Sequence, residues 1–228
     1  MPPTAHIDRI YEAELKVLRD KLLEMGGKVE AALASSVRAL AERDGDLAEQ
    51  VRAGDRQVNR LEVEIDDICR RILALRQPAA GDLRLVATAL KVVTDLERMG
   101  DLAVNIADRA LDLAKAPPIG PFHDLSTLAD LSEAQLEKAL DAFVDRDVDK
   151  AREVMADDVL LDALYLKIFN RLLLQMMEDS RTIRRATSIM FAAKHLERFG
   201  DHAMNVAEMV VYMVRGTDVR HPGSREAS

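Results

Sequence analysis

The sequence predicts an all-α protein of six long helices forming two tandem three-helix bundles. Three observations carry this. Gly at 10 and Pro at 7 are few for 228 residues, and aromatic residues make up only 4 % with no Trp, a composition poor in the turns of a β sandwich. Apolar residues recur three and four apart over stretches of about 30 residues, each ended by a breaker. A thirteen-residue segment also occurs twice, about 100 residues apart, which marks two related halves.

The first stripe runs from about Asp8 to Arg43 through Leu15, Leu18, Leu22, Met25, Val29, Ala32, Leu33, Val37 and Leu40. Asp44-Gly45-Asp46 ends it, with Gly45 expected at the left-handed C-terminal position and Asp46 as the next cap. The second helix, Leu47 to about Leu75, places Val51, Val58, Leu61, Ile65, Ile68 and Ile72 on one face, and Pro78 stops it. The third is expected to start near Asp82, a candidate N-cap, and to reach about Ala114 through Leu83, Leu90, Val93, Leu96 and Leu102. Pro117, Pro118, Gly120 and Pro121 then form a linker. Leu125–Val144, Val148–Glu178 and Thr182–Arg215 make the second half, and Gly216 and Pro222 mark a polar tail. The expected domains are residues 1–116, residues 117–216 and a tail over 217–228.

Hydrophobic residues at 48 % suffice for a core, while a net charge of -8 disfavours nucleic acid, whose recognition needs clustered Lys and Arg. No apolar run nears the roughly 20 residues that cross a bilayer, and Met1 to Asp8 lacks a signal-like pattern, so a cytoplasmic location is expected. The single cysteine, Cys69, excludes a disulfide within the chain and reads as a core residue.

The duplicated segment is Asp95 to Ala107, matched without gaps by His195 to Ala207, with LERxGDxAxNxA in common. Asp55, Val58 and Asn59 are echoed by Asp158, Leu161 and Asp162, and Asp46-Leu47 by Asp147-Val148. Gly100 and Gly200 stand inside helices, where Gly costs about 1 kcal/mol relative to Ala; close approach of a neighbouring helix backbone is the expected compensation.

Glu97, Asp101 and Asn105 fall at i, i+4 and i+8, as do Glu197, Asp201 and Asn205, which sets each group on one helix face. Acids one turn apart repel unless a cation lies between them, so the faces suit a hard metal ion. Asp55 with Asn59, and Asp158 with Asp162, would complete each site from the adjacent helix. The alternative is a solvated acidic face paired with Arg98 and Arg198. Spacing does not choose among Fe, Mg, Mn and Zn, and no organic cofactor is indicated. His195 and His202 flank one copy alone and are expected at a surface or interface. Glu-x-x-His, HExxH, Gly-rich phosphate loops and nucleophile elbows are all missing from the sequence, which disfavours an enzyme. An interaction protein, a di-metal carboxylate enzyme and a metal-free structural bundle remain the readings to separate.

MGGKVE at Met25–Glu30, RQPAAGDLR at Arg76–Arg84, DLERMGDLA at Asp95–Ala103, MMEDSRTI at Met176–Ile183 and HLERFGDHA at His195–Ala203 together resemble the PhoU family along nearly the whole chain. That resemblance implies two side-by-side bundles in a homodimer, and a role restraining phosphate uptake and repressing the phosphate regulon. The implied partners are the ATPase subunit of the phosphate ABC transporter and a sensor histidine kinase, with the membrane reached only through them. It further implies metal on the E(D)xxxD motifs. Glu97 with Asp101, Glu197 with Asp201 and Asp158 with Asp162 carry the motif intact, whereas Asp55 is followed by Asn59, a departure that weakens the first site.

Overall fold

A computed structural model describes residues 3–120 and 123–219. Pro121, Pro222 and most of the expected tail lie outside the described residues. The chain forms α1 (Pro3–Glu42), α2 (Gly45–Arg76), α3 (Ala80–Ala114), α4 (His123–Asp145), α5 (Val148–Glu178) and α6 (Ile183–Arg215), with a 3-10 turn at Ser180–Thr182. Among the described residues there is no strand. Helices α1 to α3 pack into one three-helix bundle and α4 to α6 into another. The two bundles join along α3 against α6 and α1 against α4.

The two turns that open the second helix of each bundle are built alike. Arg43 and Arg146 take the left-handed conformation, with φ of 61° and 55°. The next residues, Asp44 and Asp147, return their N–H groups to Ala39 and Ala142 carbonyls at 2.9 Å and cap the new helix. Asp44 accepts from the Leu47 N–H, and Asp147 from those of Asp149 and Lys150. The cap is therefore Asp44, where Asp46 was expected, and Gly45 opens α2 without supplying the left-handed residue. Asp44, not Asp46, is the true counterpart of Asp147. A left-handed Arg is unfavourable by roughly 1–2 kcal/mol. In Arg43 the guanidinium offsets this by donating to the carbonyls of Leu113, Ala114 and Ala116 at and just past the end of α3.

At α3 the cap is Ala79, which lends no side chain, and Asp82 lies inside the first turn. Asp82 is drawn there by the Tyr11 hydroxyl of α1, which donates to its Oδ2 at 3.1 Å. Burial and the Asp82 carboxylate push the Tyr11 pKa up to about 12.

The apolar stripes fill the two cores. Of those on α1 and α2, every residue is buried except Ala32, which is partly buried against the core. Leu83 departs from the expected α3 stripe: it is 46 % exposed, because the first turn of α3 extends past the core. Cys69 is wholly buried, and burial raises its thiol to about 12, as a core residue requires.

Three groups of contacts fix the seam between bundles. Gly26 on α1 admits Leu140 of α4 into the space a Cβ would fill. Arg84 Nε of α3 donates to the Met213 carbonyl of α6 at 2.9 Å. Asp95 of α3 meets His202 and Asn205 of α6.

Candidate metal centres

In each bundle the acidic face of the third helix lies beside the second helix. The conserved spacing within the chain explains how: Gly100 and Gly200 remove the one side chain that would hold the two helices apart. A Cβ on Gly100 would stand 3.2 Å from Val58 Cγ1 and 3.7 Å from Asp55 Oδ1. On Gly200 it would stand 2.7 Å from both Gln135 Oε1 and Leu161 Cδ1. The compensation is thus close approach of side chains on the neighbouring helices, where a helix backbone was expected. In the first bundle it seats Asp55 directly against the ExxxD turn.

Electrostatic coupling marks which carboxylates face one another. Burial, outweighing the Asn59 hydrogen bond, raises Asp55 above its ordinary range, and the Asp101 charge adds to it. Burial likewise raises Glu97, followed by Asp101, with Glu62 and Asp55 also contributing. In the second bundle burial raises Asp158, then Asp162 and Glu197; burial again leads for Asp201, then Glu197 and Asp158. So Asp55, Glu97 and Asp101 share one surface, and Asp158, Asp162, Glu197 and Asp201 share its counterpart.

The asparagines divide. Asn59, exposed, donates to Asp55 Oδ2 at 2.8 Å and so orients that carboxylate. Asn105 is exposed beyond the first face. Asn205 turns to the bundle seam, its amide donating to Asp95 Oδ1 at 3.3 Å. Eight residues along an α-helix amount to about 80° of rotation beyond two full turns, which carries i+8 off the i, i+4 face.

Cations already touch both faces. Arg98 lies 3.5 Å from Glu97 and 3.3 Å from Asp101, the solvated pairing that the sequence offered as the alternative. In the second bundle that part falls to Lys194, 2.6 Å from Glu197 Oε1, and not to Arg198. Lys194 also sits 5.3 Å over the Tyr165 ring.

Sequence reasoning missed two participants. Glu62, seven residues after Asp55 on the same face of α2, places a carboxylate near Glu97 where α5 has Tyr165. Lys194 occupies the place of Thr94. An i+7 search from Asp55 would have found Glu62. Elsewhere, burial and then the charges of Glu133, Glu137 and Asp141 of α4 raise Glu30 of α1, and burial, then Asp130 and Glu137, raises Glu133.

The donor chemistry fits a hard cation. Asp55 Oδ1 and Asp158 Oδ1, at equivalent positions, are buried without a hydrogen-bond partner, a costly condition for a carboxylate that a metal ion would relieve. The donors do not yet converge: among the described residues no three acidic, His or Cys groups stand close enough to share an ion. Asp162 is exposed and Asp101 half-exposed, and Arg98 and Lys194 already pair with acids of the two faces.

Comparison with known proteins supplies the lineage. The family model described as PhoU domain matches residues 22–110 and again 125–210. The phosphate-specific transport system accessory protein PhoU homolog of Pseudomonas aeruginosa is 46 % identical over 222 residues, covering 96 % of this chain and 91 % of that protein. The accessory protein PhoU of Escherichia coli strain K12 is 40 % identical over 221 residues, covering 97 % and 92 %. The crystal structure of PhoU from Pseudomonas aeruginosa superposes with a TM-score of 0.86 at 44 % identity, over 91 % of this chain and all of that one. The phosphate transport system regulatory protein PhoU from Streptococcus pneumoniae superposes equally, at 30 % identity over 92 % of this chain.

Proposed function

The chain belongs to the PhoU family, and on that footing we propose that it is a cytoplasmic negative regulator of phosphate uptake and of the phosphate regulon. It takes the general role of an accessory protein in phosphate transport. In this reading it is a non-enzymatic adaptor between the ATPase subunit of a phosphate ABC transporter and a sensor histidine kinase. It works as a homodimer and reaches the membrane only through its partners; no helix among the described residues is long and apolar enough to cross one.

The observation that carries the reading is the doubled acidic face with its two orphaned carboxylate oxygens, on a scaffold whose sequence offers no catalytic motif. Asp55, Glu62, Glu97 and Asp101 would hold a metal ion on the first bundle, Asp158, Asp162, Glu197 and Asp201 on the second. Bound there, Fe, Mg, Mn or Zn would supply positive charge that bridges two helices and stiffens the face. Asn59 orients Asp55; Asn105 and Asn205 are left with supporting roles outside the ligand set.

Adaptor work needs a surface for a partner protein, and α5 supports one. Val159, Leu160, Leu166, Leu173, Leu174 and Met177 are 42–76 % exposed. At the matching places α2 carries Arg56, Gln57, Val63, Arg70, Arg71 and Ala74. Three arginines and one glutamine of α2 thus have exposed apolar counterparts on α5.

The test is made in cells. Replacing Glu97, Asp101, Glu197 and Asp201 by Ala should derepress phosphate uptake at high phosphate and lower metal content. Normal repression with undiminished metal rejects the site. Co-purification from cells grown in high and low phosphate identifies the partners, and turnover of phosphate esters or oxygen by the purified protein would favour the di-metal enzyme.

A further inference from the structure

The end of the molecule where α3 stops and α6 starts holds a cavity of about 380 Å³ whose wall includes Lys115, Arg184, Arg185, Ser188 and Asp112. In a chain of net charge -8, three cations around one opening are a local reversal of sign. Lys115 belongs to the end of the first bundle and the two arginines to the second, so the cavity spans the junction between them.

The acid on the wall and the nearby end of α3 are partnered. Asp112, the one acid on the wall, is paired with Arg109 at 3.2 Å. The carbonyls of Leu113 and Ala114, at the negative end of the α3 dipole, and of Ala116 just beyond it take hydrogen bonds from Arg43. Helix α6 opens with neither an acidic residue in its first turn nor a side-chain cap. Lys115 and Arg184, by contrast, make no ion pair among the described residues. Arg185 is fixed toward the cavity by donating to the carbonyls of Pro117 at 2.8 Å and Arg181 at 3.1 Å.

We propose that this cavity binds a small phosphate-class oxyanion, held by the Lys115 ammonium and the guanidinium groups of Arg184 and Arg185. Two planar guanidinium groups and one point charge suit a compact, doubly charged tetrahedral anion, to which Arg donates in pairs. The net charge of -8 disfavours a long polyanion. Because the ligand groups come from both bundles, the anion ties the ends of α3 and α6 together and adds a contact across the linker. The site is separate from the acidic faces and stands whether or not these hold metal.

Calorimetric titration of the full chain, stripped with chelator, with inorganic phosphate tests this directly. Saturable binding is expected, weakened on the order of a hundredfold in Lys115→Ala/Arg184→Ala, the loss of two charge-assisted contacts at about tenfold each. Both side chains are exposed, so the variant should melt as wild type does. The charge-reversed Lys115→Glu/Arg184→Glu serves as a second variant and should abolish binding. Glu97→Ala/Asp101→Ala should bind phosphate as before. ADP in a parallel titration separates the sources: tighter binding of ADP, lost in the same variants, assigns the site to a nucleotide phosphate, and tighter binding of inorganic phosphate to the free ion. No saturable binding of either, or equal affinity in wild type and both variants, overturns the proposal.

Discussion

His202 on α6 places its Nδ1 2.7 Å from Asp95 Oδ1 on α3, closing the seam between the bundles with a pair that the duplication does not repeat. The counterparts of these residues are Leu102 and His195, and His195 Nδ1 is accordingly buried with no partner. Burial, then the charges of Arg109 and Arg198, lowers the His195 pKa and keeps that ring neutral.

His202→Leu, the residue the first copy carries, should destabilise the chain by about 1–3 kcal/mol, because it strips a buried carboxylate of its shorter hydrogen bond. His195→Leu should cost less, having no such bond to lose. Thermal melting of the two variants under identical conditions checks the order.

The two glycines should respond unequally. Gly200→Ala puts a methyl 2.7 Å from the buried Leu161 and Gln135 and should destabilise by about 1–3 kcal/mol. Gly100→Ala meets Val58 at 3.2 Å, and the helix-propensity gain of about 1 kcal/mol largely offsets the crowding. Urea unfolding of both variants measures the difference.

Burial, and then the charge of Asp101 for Asp55 and of Asp162 and Glu197 for Asp158, raise these carboxyls, so between the unfolded and folded pKa values the folded chain binds protons that the unfolded chain has released. The stability they contribute is present at acid pH and is lost as pH rises through their folded pKa values. Asp55→Asn and Asp158→Asn in the metal-free chain should therefore raise Tm at pH 7, with the gain fading toward pH about 4, where ordinary carboxyls protonate. Glu14 and Asp124, lowered by hydrogen bonds from Arg76 and Lys167, behave oppositely: their contribution is present at neutral pH and disappears in acid. Melting curves across pH for wild type and variants separate the two sets.

Leu173→Arg with Leu174→Arg gives α5 the residues that α2 has at the matching positions. Both side chains are largely exposed, so melting should be unchanged within about 0.5 kcal/mol, while co-purification of partner proteins is lost. Retained partners would remove the apolar face of α5 from the docking surface.

The stripes on α1 and α2 were fully legible because helical periodicity is imposed by the core itself, and the duplicated LERxGD located both acidic faces. The turns were not. Asp44 and Asp46 are equally good caps in sequence, and the choice was made by Arg43, whose left-handed backbone is supported by α3 carbonyls 70 residues away. Asp82 looked like a cap until Tyr11 of another helix claimed it. At the sites, i+4 arithmetic placed Glu97 with Asp101 correctly, yet i+8 over-extended the face, since Asn205 has rotated to Asp95. Glu62 and Lys194 were invisible to motif matching because the two copies differ there.

The central claim, that the twin acidic faces hold metal, is tested most directly by elemental analysis of the full chain purified without chelator, alongside the Glu97→Ala/Asp101→Ala/Glu197→Ala/Asp201→Ala variant. Metal bound to wild type and lost from a variant that keeps its helical circular dichroism is the predicted result. Equal metal in both, or a metal-free wild type whose Tm neither chelator nor added Mn²⁺ moves, would contradict the account.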